Sequence, residues 1–324
     1  MADTLNAYGQ LTMLELAKRT DPRGEAAKIA EILSESNEIL LDAQWGEANN
    51  VASHKVVRRD YLPSGSWRSI NAGVSKEASI TTEVNEPIGL LESYSEVDKA
   101  LVDMAPNPRQ FRMDEAAAFI EGMGQTLAEA IVYADHDVNP EKLHGLEPRL
   151  DSLSNPRVVS CGGSGSDLTS IYIVQWGLNQ VFMVYPRGSK NVGIEHRDLG
   201  EVTLQDASGN NYQGFRDHFI TRSGLCVKDT RCIARVANIE TSGSSNLFDE
   251  DKLIEVLNQM KNAGKGATIY VNRTVKTQME IALIDRANVN FTVVNGLGGV
   301  PVLTFRGLPV RLVDQISDTE SAVS

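Results

Sequence analysis

The stretch from Asn107 to Asp135 constrains the fold most, because it predicts one long helix near the middle of the chain. Asn107 can cap the first turn, and Pro108 suits the first helical position. A helix of this length spans about 40 Å at 1.5 Å per residue. An apolar stripe recurs along it at steps of three and four residues: Ala116, Ile120, Met123, Leu127, Ile131 and Ala134. Such a stripe has to pack against a sheet or other helices, so the rest of the fold is expected to form around this helix.

The composition narrows the classes of protein to which the chain can belong. Its 324 residues can form one large domain or two to three smaller ones. A net charge of -12 argues against a surface that grips nucleic acid, since such binding needs clustered lysine and arginine. Any role beside DNA is therefore expected to be containment. The sequence shows no apolar run long enough to cross a bilayer and no signal peptide, so we expect no membrane partner.

No residue pattern in the sequence predicts catalysis. The cysteines Cys161, Cys226 and Cys232 lack the close spacing of a zinc site and are expected to be reduced. The glycine-rich segments 162–167 and 264–268 do not open a helix as a phosphate-binding loop would. His136 and His144 lie in an acidic connection where a metal is conceivable, although solvated histidines explain them as well. We therefore expect no catalytic residue, no cofactor and no metal site.

The first 50 residues predict two amphipathic helices, Thr12–Arg19 and Glu25–Trp45, separated by a break at residues 20–24. Neither helix has an obvious partner nearby in the sequence. They could form an independent helical hairpin or an arm that reaches a neighbouring subunit.

Residues 51–93 predict an extended β-hairpin with little apolar content of its own. Its strands are expected at Val56–Leu62, Ser79–Val84 and Ile88–Leu91. An isolated hairpin is marginally stable in water, so this one is expected to lean on something else. A hairpin at the sheet edge of one compact domain is the alternative.

Residues 157–240 are rich in predicted strands. Ile171–Gly177 and Val181–Pro186 are expected to form a hairpin across residues 178–180, and Tyr212–Thr221 and Leu225–Ile239 are expected to be long strands. Residues 241–246 form the clearest linker. A small α/β lobe is expected beyond it. Its helix begins after Asp249, a strand covers residues 267–271, another helix runs from Asn272 to Asp285, and three strands follow. A polar tail, residues 318–324, ends the chain.

Five ordered blocks of sequence carry a resemblance to a known family. They are GGSGSDLTSIYIVQWG (Gly162–Gly177), YPRGSKNVGIEHRDLGE (Tyr185–Glu201), GLCVKDTRCIARVANI (Gly224–Ile239), IYVNRTVKTQME (Ile269–Glu280) and TFRGLPVRLVDQI (Thr304–Ile316). Together they resemble the major capsid proteins of short-tailed double-stranded DNA bacteriophages, within the group that has the Hong Kong 97-type capsid fold.

The resemblance implies an α+β fold with four parts. These are an N-terminal arm (residues 1–50), an extended hairpin called the E-loop (51–100), a peripheral domain with the spine helix 107–135 and the β-rich stretch (101–245), and an axial domain (246–324). The strands at 171–239 resemble ones that usually follow the axial domain, which predicts a permuted order. The spine helix is then expected to cross a flat shell subunit.

The resemblance also implies a function: self-assembly into hexamers and pentamers that form an icosahedral head around the phage genome, in a virion assembled in the bacterial cytoplasm. The subunit itself is the main partner, and scaffolding, portal and cement proteins are the others. We predict intersubunit contacts at Tyr61, Trp67, Arg68 and Trp45. A nanocompartment shell of the same fold with an enzyme cargo, and a soluble two-domain enzyme, are the alternatives.

Overall fold

The computed structural model describes residues 37–189, 192–206, 208–284, 290–295 and 301–324. These residues fall into two compact units. The first unit contains described residues 90–127 and 192–222, and the second contains described residues 37–89, 128–189 and 223–324. The helix predicted at Thr12–Arg19 lies outside the described residues.

The helices and strands follow the chain in a mixed order. The helices are α1 (Ile39–Asp42), α2 (Lys99–Met104), α3 (Pro108–Tyr133), α4 (Glu250–Gln259) and α5 (Arg273–Leu283). The strands are β1 (Trp45–Glu47), β2 (Ser53–Tyr61), β3 (Ile80–Pro87), β4 (Gly89–Asp98), β5 (Val158–Ser160), β6 (Leu168–Val174), β7 (Val181–Tyr185), β8 (Glu195–Gln205), β9 (Asn211–Val227), β10 (Ile233–Glu240), β11 (Thr268–Val271), β12 (Phe291–Asn295), β13 (Pro301–Phe305) and β14 (Leu308–Leu312). In the described part of the chain, no helix has the length and apolar character needed to cross a lipid bilayer.

The long helix predicted from the sequence is confirmed as α3, whose first 20 residues belong to the first unit. The Asn107 side chain accepts a hydrogen bond from the backbone N–H of Gln110 at 3.2 Å, which is the expected cap. Most of the predicted stripe is buried, including Met123 and Leu127 at 5% exposure each. Ile120 is the exception: it is 41% exposed, so its place in the buried stripe was predicted wrongly. A residue at the margin of an apolar stripe can face outward because the stripe is wider than the contact that it makes.

The first unit packs α2 and the start of α3 against β4, β8 and β9. β8 and β9 pair antiparallel from Glu195 opposite Ile220 to Gln205 opposite Asn211, and β4 is another neighbour of β9. Two small apolar clusters result. One contains Val97, Leu101, Val102, Ala105 and Phe111 against Phe215, and the other contains Ala116, Met123 and Phe219 against Leu91, Phe119 and Ile194.

A seven-stranded sheet forms the core of the second unit, in the order β12-β13-β14-β11-β6-β10-β5. β6 lies between β10 and β11, and all seven of its residues are buried, which is typical of a strand covered on both faces. The helices α4 and α5 contribute Leu253, Val256, Leu257, Val275 and Met279 to the apolar cluster on this sheet. The starts predicted for these helices are confirmed, and Asp249 and Asn272 cap them, since each side chain accepts a backbone N–H in the first turn.

This sheet combines strands from both sides of the boundary predicted at residues 245/246. β5, β6 and β10 precede it, whereas β11 to β14 follow it. β11 pairs with β6 from Thr268 opposite Val174 to Tyr270 opposite Tyr172. Residues 241–246 therefore connect β10 to α4 within one unit, and the predicted strand permutation remains a prediction.

The predicted hairpin between Ile171–Gly177 and Val181–Pro186 was wrong. Both strands exist, but β6 pairs with β10 and β11, whereas β7 pairs with β1 and β9. Trp176 and Val181 form only an isolated bridge between them. The turn residues were read correctly, since the backbone N–H of Gln180 bonds to the Gly177 carbonyl at 2.8 Å. A tight turn between two strands does not decide whether they share a sheet, because each strand can find a longer partner elsewhere.

The predicted helix Glu25–Trp45 was also wrong at its end. The described part of this stretch is helical only in α1, and Trp45 lies in β1, which pairs parallel with β7. The backbone N–H of Glu38 bonds to the Leu312 carbonyl at 3.1 Å. The side chain of Ile39 is fully buried while that of Leu41 is 86% exposed. Pairing with distant backbone has therefore overridden the local helical pattern.

The single strand predicted over Leu225–Ile239 is broken at residues 228–232. Asp229 causes the break: its side chain accepts the backbone N–H of Arg231 at 3.0 Å and opens a short 3₁₀ turn at Thr230–Cys232. The same carboxylate pairs with the Arg231 guanidinium and with Lys261 Nζ at 3.0 Å. The hydrogen bond from Arg231, reinforced by Lys261, holds the pKa of Asp229 well below its usual range.

The polar tail is folded into the second unit, which the sequence did not predict. Glu320 is 8% exposed and accepts hydrogen bonds from Ser170, Tyr133 and Arg235, the last at 2.9 Å. The backbone N–H of Glu320 also bonds to the Leu168 carbonyl at 2.8 Å. Burial raises the pKa of Tyr133 well above its ordinary value, so its hydroxyl remains a donor to Glu320.

Gly122→Ala is expected to stabilise the isolated subunit by about 1 kcal/mol, because alanine costs less backbone entropy in a helix. A Cβ at Gly122 would meet nothing within 4 Å. Gly145→Ala is the matched control and should destabilise, since its Cβ would lie 2.9 Å from the carbonyl oxygens of Ala130 and Val132. Urea unfolding of the unassembled chain measures both changes, and equal losses would contradict the assignment of Gly122 to open space.

Asp229→Asn is expected to cost about 2 kcal/mol at pH 7, because it removes hydrogen bonds to two cationic groups. The pKa of Asp229 is lowered from 3.8 in the folded state. Its ionised form therefore stabilises the fold above that pH, and this contribution is lost as the pH falls through the folded-state pKa. The difference between wild type and variant should thus stay constant from pH 7 to about pH 4 and narrow as the pH falls further in urea titrations. If the stability difference between wild type and variant stayed constant at low pH, the charge of Asp229 would not be the source of the stabilisation.

Candidate intersubunit interface

The predicted extended hairpin is confirmed as β2 and β3. The two strands pair antiparallel from Ser53 opposite Pro87 to Tyr61 opposite Ile80, with a register shift between Arg59 and Tyr61. The predicted return strand Ile88–Leu91 does not belong to it. Most of that segment lies in β4, whose neighbour is β9.

The outer part of this hairpin is exposed throughout. Every residue from 59 to 83 is exposed, and Trp67 reaches 105% of its reference area. Several other large apolar side chains are exposed in the same segment: Leu62, Ile70, Val74 and Ile80. Contiguous exposed apolar surface of this kind marks an interaction site. Residues 59–83 are called the hairpin tip below.

The hairpin tip has its own internal hydrogen bonds. The Glu77 carboxylate accepts the backbone N–H groups of Ser64 and Gly65 at 2.8 and 3.2 Å. Arg68 donates to the Ala72 carbonyl at 3.0 Å. These bonds shape the loop while leaving the Trp67 ring free for a contact.

Buried charges hold the base of the hairpin in the second unit. Glu86 at the end of β3 has a side chain that is only 2% exposed, and it accepts hydrogen bonds from two arginines. Arg149 donates to both of its oxygens, at 3.0 and 2.6 Å, and Arg58 donates at 3.1 Å. Arg58 also donates to the Lys228 carbonyl at 3.2 Å. The base is therefore fixed by one bidentate pair, with Arg149, and one single hydrogen bond, from Arg58, while the tip projects without support.

The structure brings three of the four predicted contact residues onto one element. Tyr61 ends β2, and Trp67 and Arg68 lie in the loop beyond it. Trp45 is elsewhere: it is half-buried in β1, opposite Met183 of β7. Intersubunit contact by these four residues remains a prediction.

Neither Glu86 nor its partners were predicted from the sequence. Glu86 and Arg149 are 63 residues apart, and Arg58 and Lys228 are 170 apart. Period-two alternation places a side chain on a face, but it does not show that a glutamate on the inner face has two arginines to meet.

A second feature that the sequence did not show is a cavity of about 390 Å³ in the first unit. Arg112 of α3 forms its polar wall, donating to Asp198 at 2.7 Å and to Asp217 at 3.1 Å. Its guanidinium lies 4.6 Å from the ring centre of Phe215. The hydrogen bond from Arg112 lowers the pKa of Asp198, so the pair remains ionised at neutral pH. The other lining residues are Val102, Pro108, Arg109, Met113, Ala116 and His196.

Three side chains in the second unit could hold a metal ion. Ligand atoms of Asp135, Asp137 and His144 all lie within 4.8 Å of one another. His136 instead bonds through Nδ1 to the Lys142 carbonyl at 2.9 Å. Asp137 is exposed, and carboxylates in such turns are common without an ion.

The cysteines are free, as expected. Burial raises the pKa of each thiol, to about 11 for Cys161 and Cys232 and about 12 for Cys226. All three therefore remain protonated near neutral pH and act as small apolar side chains.

Glu86→Gln is expected to destabilise the unassembled chain by about 3 kcal/mol, because it leaves the partly buried guanidinium groups of Arg58 and Arg149 without a counter-charge. Glu83→Gln on the same strand is the matched control. Glu83 pairs with Lys55 at 2.6 Å, but both side chains are at least half exposed, so its loss should cost at most about 1 kcal/mol. Urea unfolding measures both, and similar small losses would show that the buried pairs do not hold the hairpin base.

Comparison with solved structures identifies the fold through one match. The structure of bacteriophage Epsilon15 matches with a TM-score of 0.71 and 29% sequence identity, covering 100% of this chain and 98% of that chain. The expected α+β, Hong Kong 97-type capsid fold is therefore confirmed. The capsid of bacteriophage JBD30 matches at a TM-score of 0.49 and 13% identity, over 94% of this chain and 98% of that one. An encapsulin from Synechococcus elongatus PCC 7942 matches at 0.48 and 11%, over 70% and 96%.

The family comparison covers nearly the whole sequence. No curated protein matches the chain. The model of the family described as major capsid protein GP7, however, matches residues 21–324, which include both compact units and the hairpin. This chain belongs to the GP7 family of major capsid proteins.

Proposed function

We propose that copies of this chain assemble into hexamers and pentamers that close into an icosahedral head around a double-stranded phage genome. The family match over residues 21–324 is the observation that carries this proposal. The assembled head is the virion capsid, formed in the bacterial cytoplasm. Scaffolding, portal and cement proteins are its further partners, and the subunit's role is structural rather than enzymatic.

The exposed hairpin supports assembly from many copies. Its tip presents apolar side chains that no described part of its own subunit covers, so burial has to come from another copy. A contact between two different surfaces of the same chain is heterologous, and it closes into rings when the rotation between copies is right. Rings of five and six copies then provide the building blocks of a shell.

The charge of the chain supports containment of DNA without binding to it. The net charge is -12, and DNA binding requires clustered basic side chains that release counterions. An acidic inner wall repels the phosphate backbone, which keeps a packed genome from adhering to the shell.

The domain division is part of the proposal. We assign residues 1–50 to an arm, 51–100 to the E-loop hairpin, 101–245 mainly to a peripheral domain, and 246–324 to an axial domain. One adjustment follows from the sheet: β5, β6 and β10 pair in one layer with β11 and β14, so these three strands are assigned to the axial domain. The first unit, with α2, β8 and the start of α3, then forms the centre of the peripheral domain.

Electron microscopy of particles purified after expression with the phage packaging proteins tests this proposal. Closed particles with five- and six-fold rings and nuclease-protected double-stranded DNA are the expected result, since the shell excludes nuclease. Particles that hold an enzyme and no DNA would favour a nanocompartment. A small oligomer under every assembly condition would overturn the shell proposal and favour a two-domain enzyme.

A further inference from the structure

We infer that Trp67 of one copy inserts into the first-unit cavity of a second copy, the cavity lined by Arg112, Met113 and Phe215. This inference rests on the proposed shell function and names the contact that the hairpin makes there. It follows from the chemistry of the cavity, the chemistry of the hairpin tip and the charges around both.

The cavity has the size and the walls that an indole ring requires. Its volume of about 390 Å³ lies at the lower end of the roughly 300–1,000 Å³ found for pockets that enclose small molecules. A guanidinium group, an aromatic ring and a thioether line it, and each of these interacts favourably with an aromatic face. Among aromatic side chains, tryptophan gives the strongest cation–π interaction.

The cavity also holds acceptors for the indole N–H. Indole is a donor only, so a buried tryptophan needs an acceptor within reach. The carboxylates of Asp198 and Asp217 both border the cavity, and 52% of the Asp198 side chain is still exposed. A phenylalanine or leucine would leave these oxygens without a new donor.

The hairpin tip offers the matching side chain and no competing contact. Trp67 is 105% exposed, which means that its ring packs against nothing in its own subunit. It stands at the outer end of a nine-residue strand that spans roughly 30 Å, so it can reach beyond its own subunit. Large, fully desolvated tryptophan side chains seated in pockets are the commonest energetic centres of protein interfaces.

The charges around the two surfaces are complementary. Between Tyr61 and Lys76 the hairpin tip carries two cations, Arg68 and Lys76, and no acid. In the described part of the first unit, acids outnumber bases by about two to one. The acids are Glu92, Glu96, Asp98, Asp103, Asp114, Glu115, Glu121, Glu195, Asp198, Glu201, Asp206 and Asp217, and the bases are Lys99, Arg109, Arg112, Arg197, Arg216 and Arg222. The hairpin tip as a whole carries three bases and three acids, but the turn from Tyr61 to Lys76 that holds Trp67 is cationic. This turn therefore meets an acidic unit, which orients the approach of two like-charged subunits.

A photo-crosslinking experiment on assembled particles tests the contact directly. Arg109, an exposed residue at the cavity, is replaced by p-benzoylphenylalanine, which leaves Arg112 in place. Illumination is expected to give a covalent dimer whose linked peptide contains Trp67. The same probe at Ile281, an exposed residue of α5 in the second unit, is the control and should not capture that peptide.

A double-mutant cycle tests whether Trp67 and the cavity act together. Trp67→Ala and Met113→Ala should each raise the critical concentration for assembly, by about tenfold or more for Trp67→Ala. The combined variant should be no worse than Trp67→Ala alone, because the two residues belong to one contact. Urea unfolding of unassembled Trp67→Ala should match wild type, since the ring has no contact to lose.

The outcomes separate this inference from the shell proposal. Particles that form normally, while the probe at Arg109 captures residues 1–36, a different peptide or nothing, would overturn the seating of Trp67 and leave the shell proposal intact. Strictly additive effects of the two substitutions would also overturn it. Absence of particles from the wild-type chain would instead refute the proposed function.

Discussion

The second unit depends on one buried ion pair, between Arg235 in β10 and Glu320 in the tail. Arg235 is 1% exposed and lies in β10, between β6 and the edge strand β5 of the seven-stranded sheet. A lone guanidinium there would carry a prohibitive desolvation cost, so Glu320 and its partners have to be present before β10 can occupy this position. Ser170, Tyr133 and the Leu150 carbonyl complete the hydrogen bonds around the pair. The last turn of α3, the sheet and the C-terminal tail are thus mutually dependent.

A similar arrangement at Glu86 explains how the hairpin can be rigid at one end and unsupported at the other. The two arginines on Glu86 fix the ends of β2 and β3, and the ladder of nine and eight residues transmits that position outward. Ordering a tip with no covering partner costs conformational entropy that the isolated subunit does not recover. In the proposed shell, burial of the tip against a neighbouring copy offsets this entropy cost. The rigid base keeps the cost small, because the direction of the hairpin is already set. The hydrogen bonds at the base thus orient the hairpin before it binds, and this preorganisation favours specific binding at the tip.

Local chemistry made some of this fold predictable. The caps at Asn107, Asp249 and Asn272 and the helices that follow them depend on neighbours in sequence, and they were placed to within a few residues. The antiparallel hairpin was found for the same reason.

Strand partners were not predictable in this way. β6 and β7 are separated by a tight turn yet enter different sheets, because their neighbours β10, β11 and β9 come from much later in the chain. Glu320 was read only as part of a polar tail, since a single glutamate near a terminus gives no sign of a buried arginine 85 residues earlier. The sequence predicted a contact surface on a hairpin with one tryptophan. The cavity of the first unit was not predicted, because three segments of the chain have to converge to form it.

The difference between the local and the long-range interactions of this subunit also matters for assembly. Interactions within a few residues decide where helices and turns begin, but this subunit is held together by buried charges whose partners are 63, 85 and 187 residues apart. Such pairs are strong only in one geometry, so they select a single arrangement of the chain. A shell needs this selectivity, because a small change in the angle at one subunit is repeated in every copy and prevents closure. In the proposed shell, the apolar and weakly directional contacts are those of the hairpin tip, where two copies first meet in many orientations before one fits.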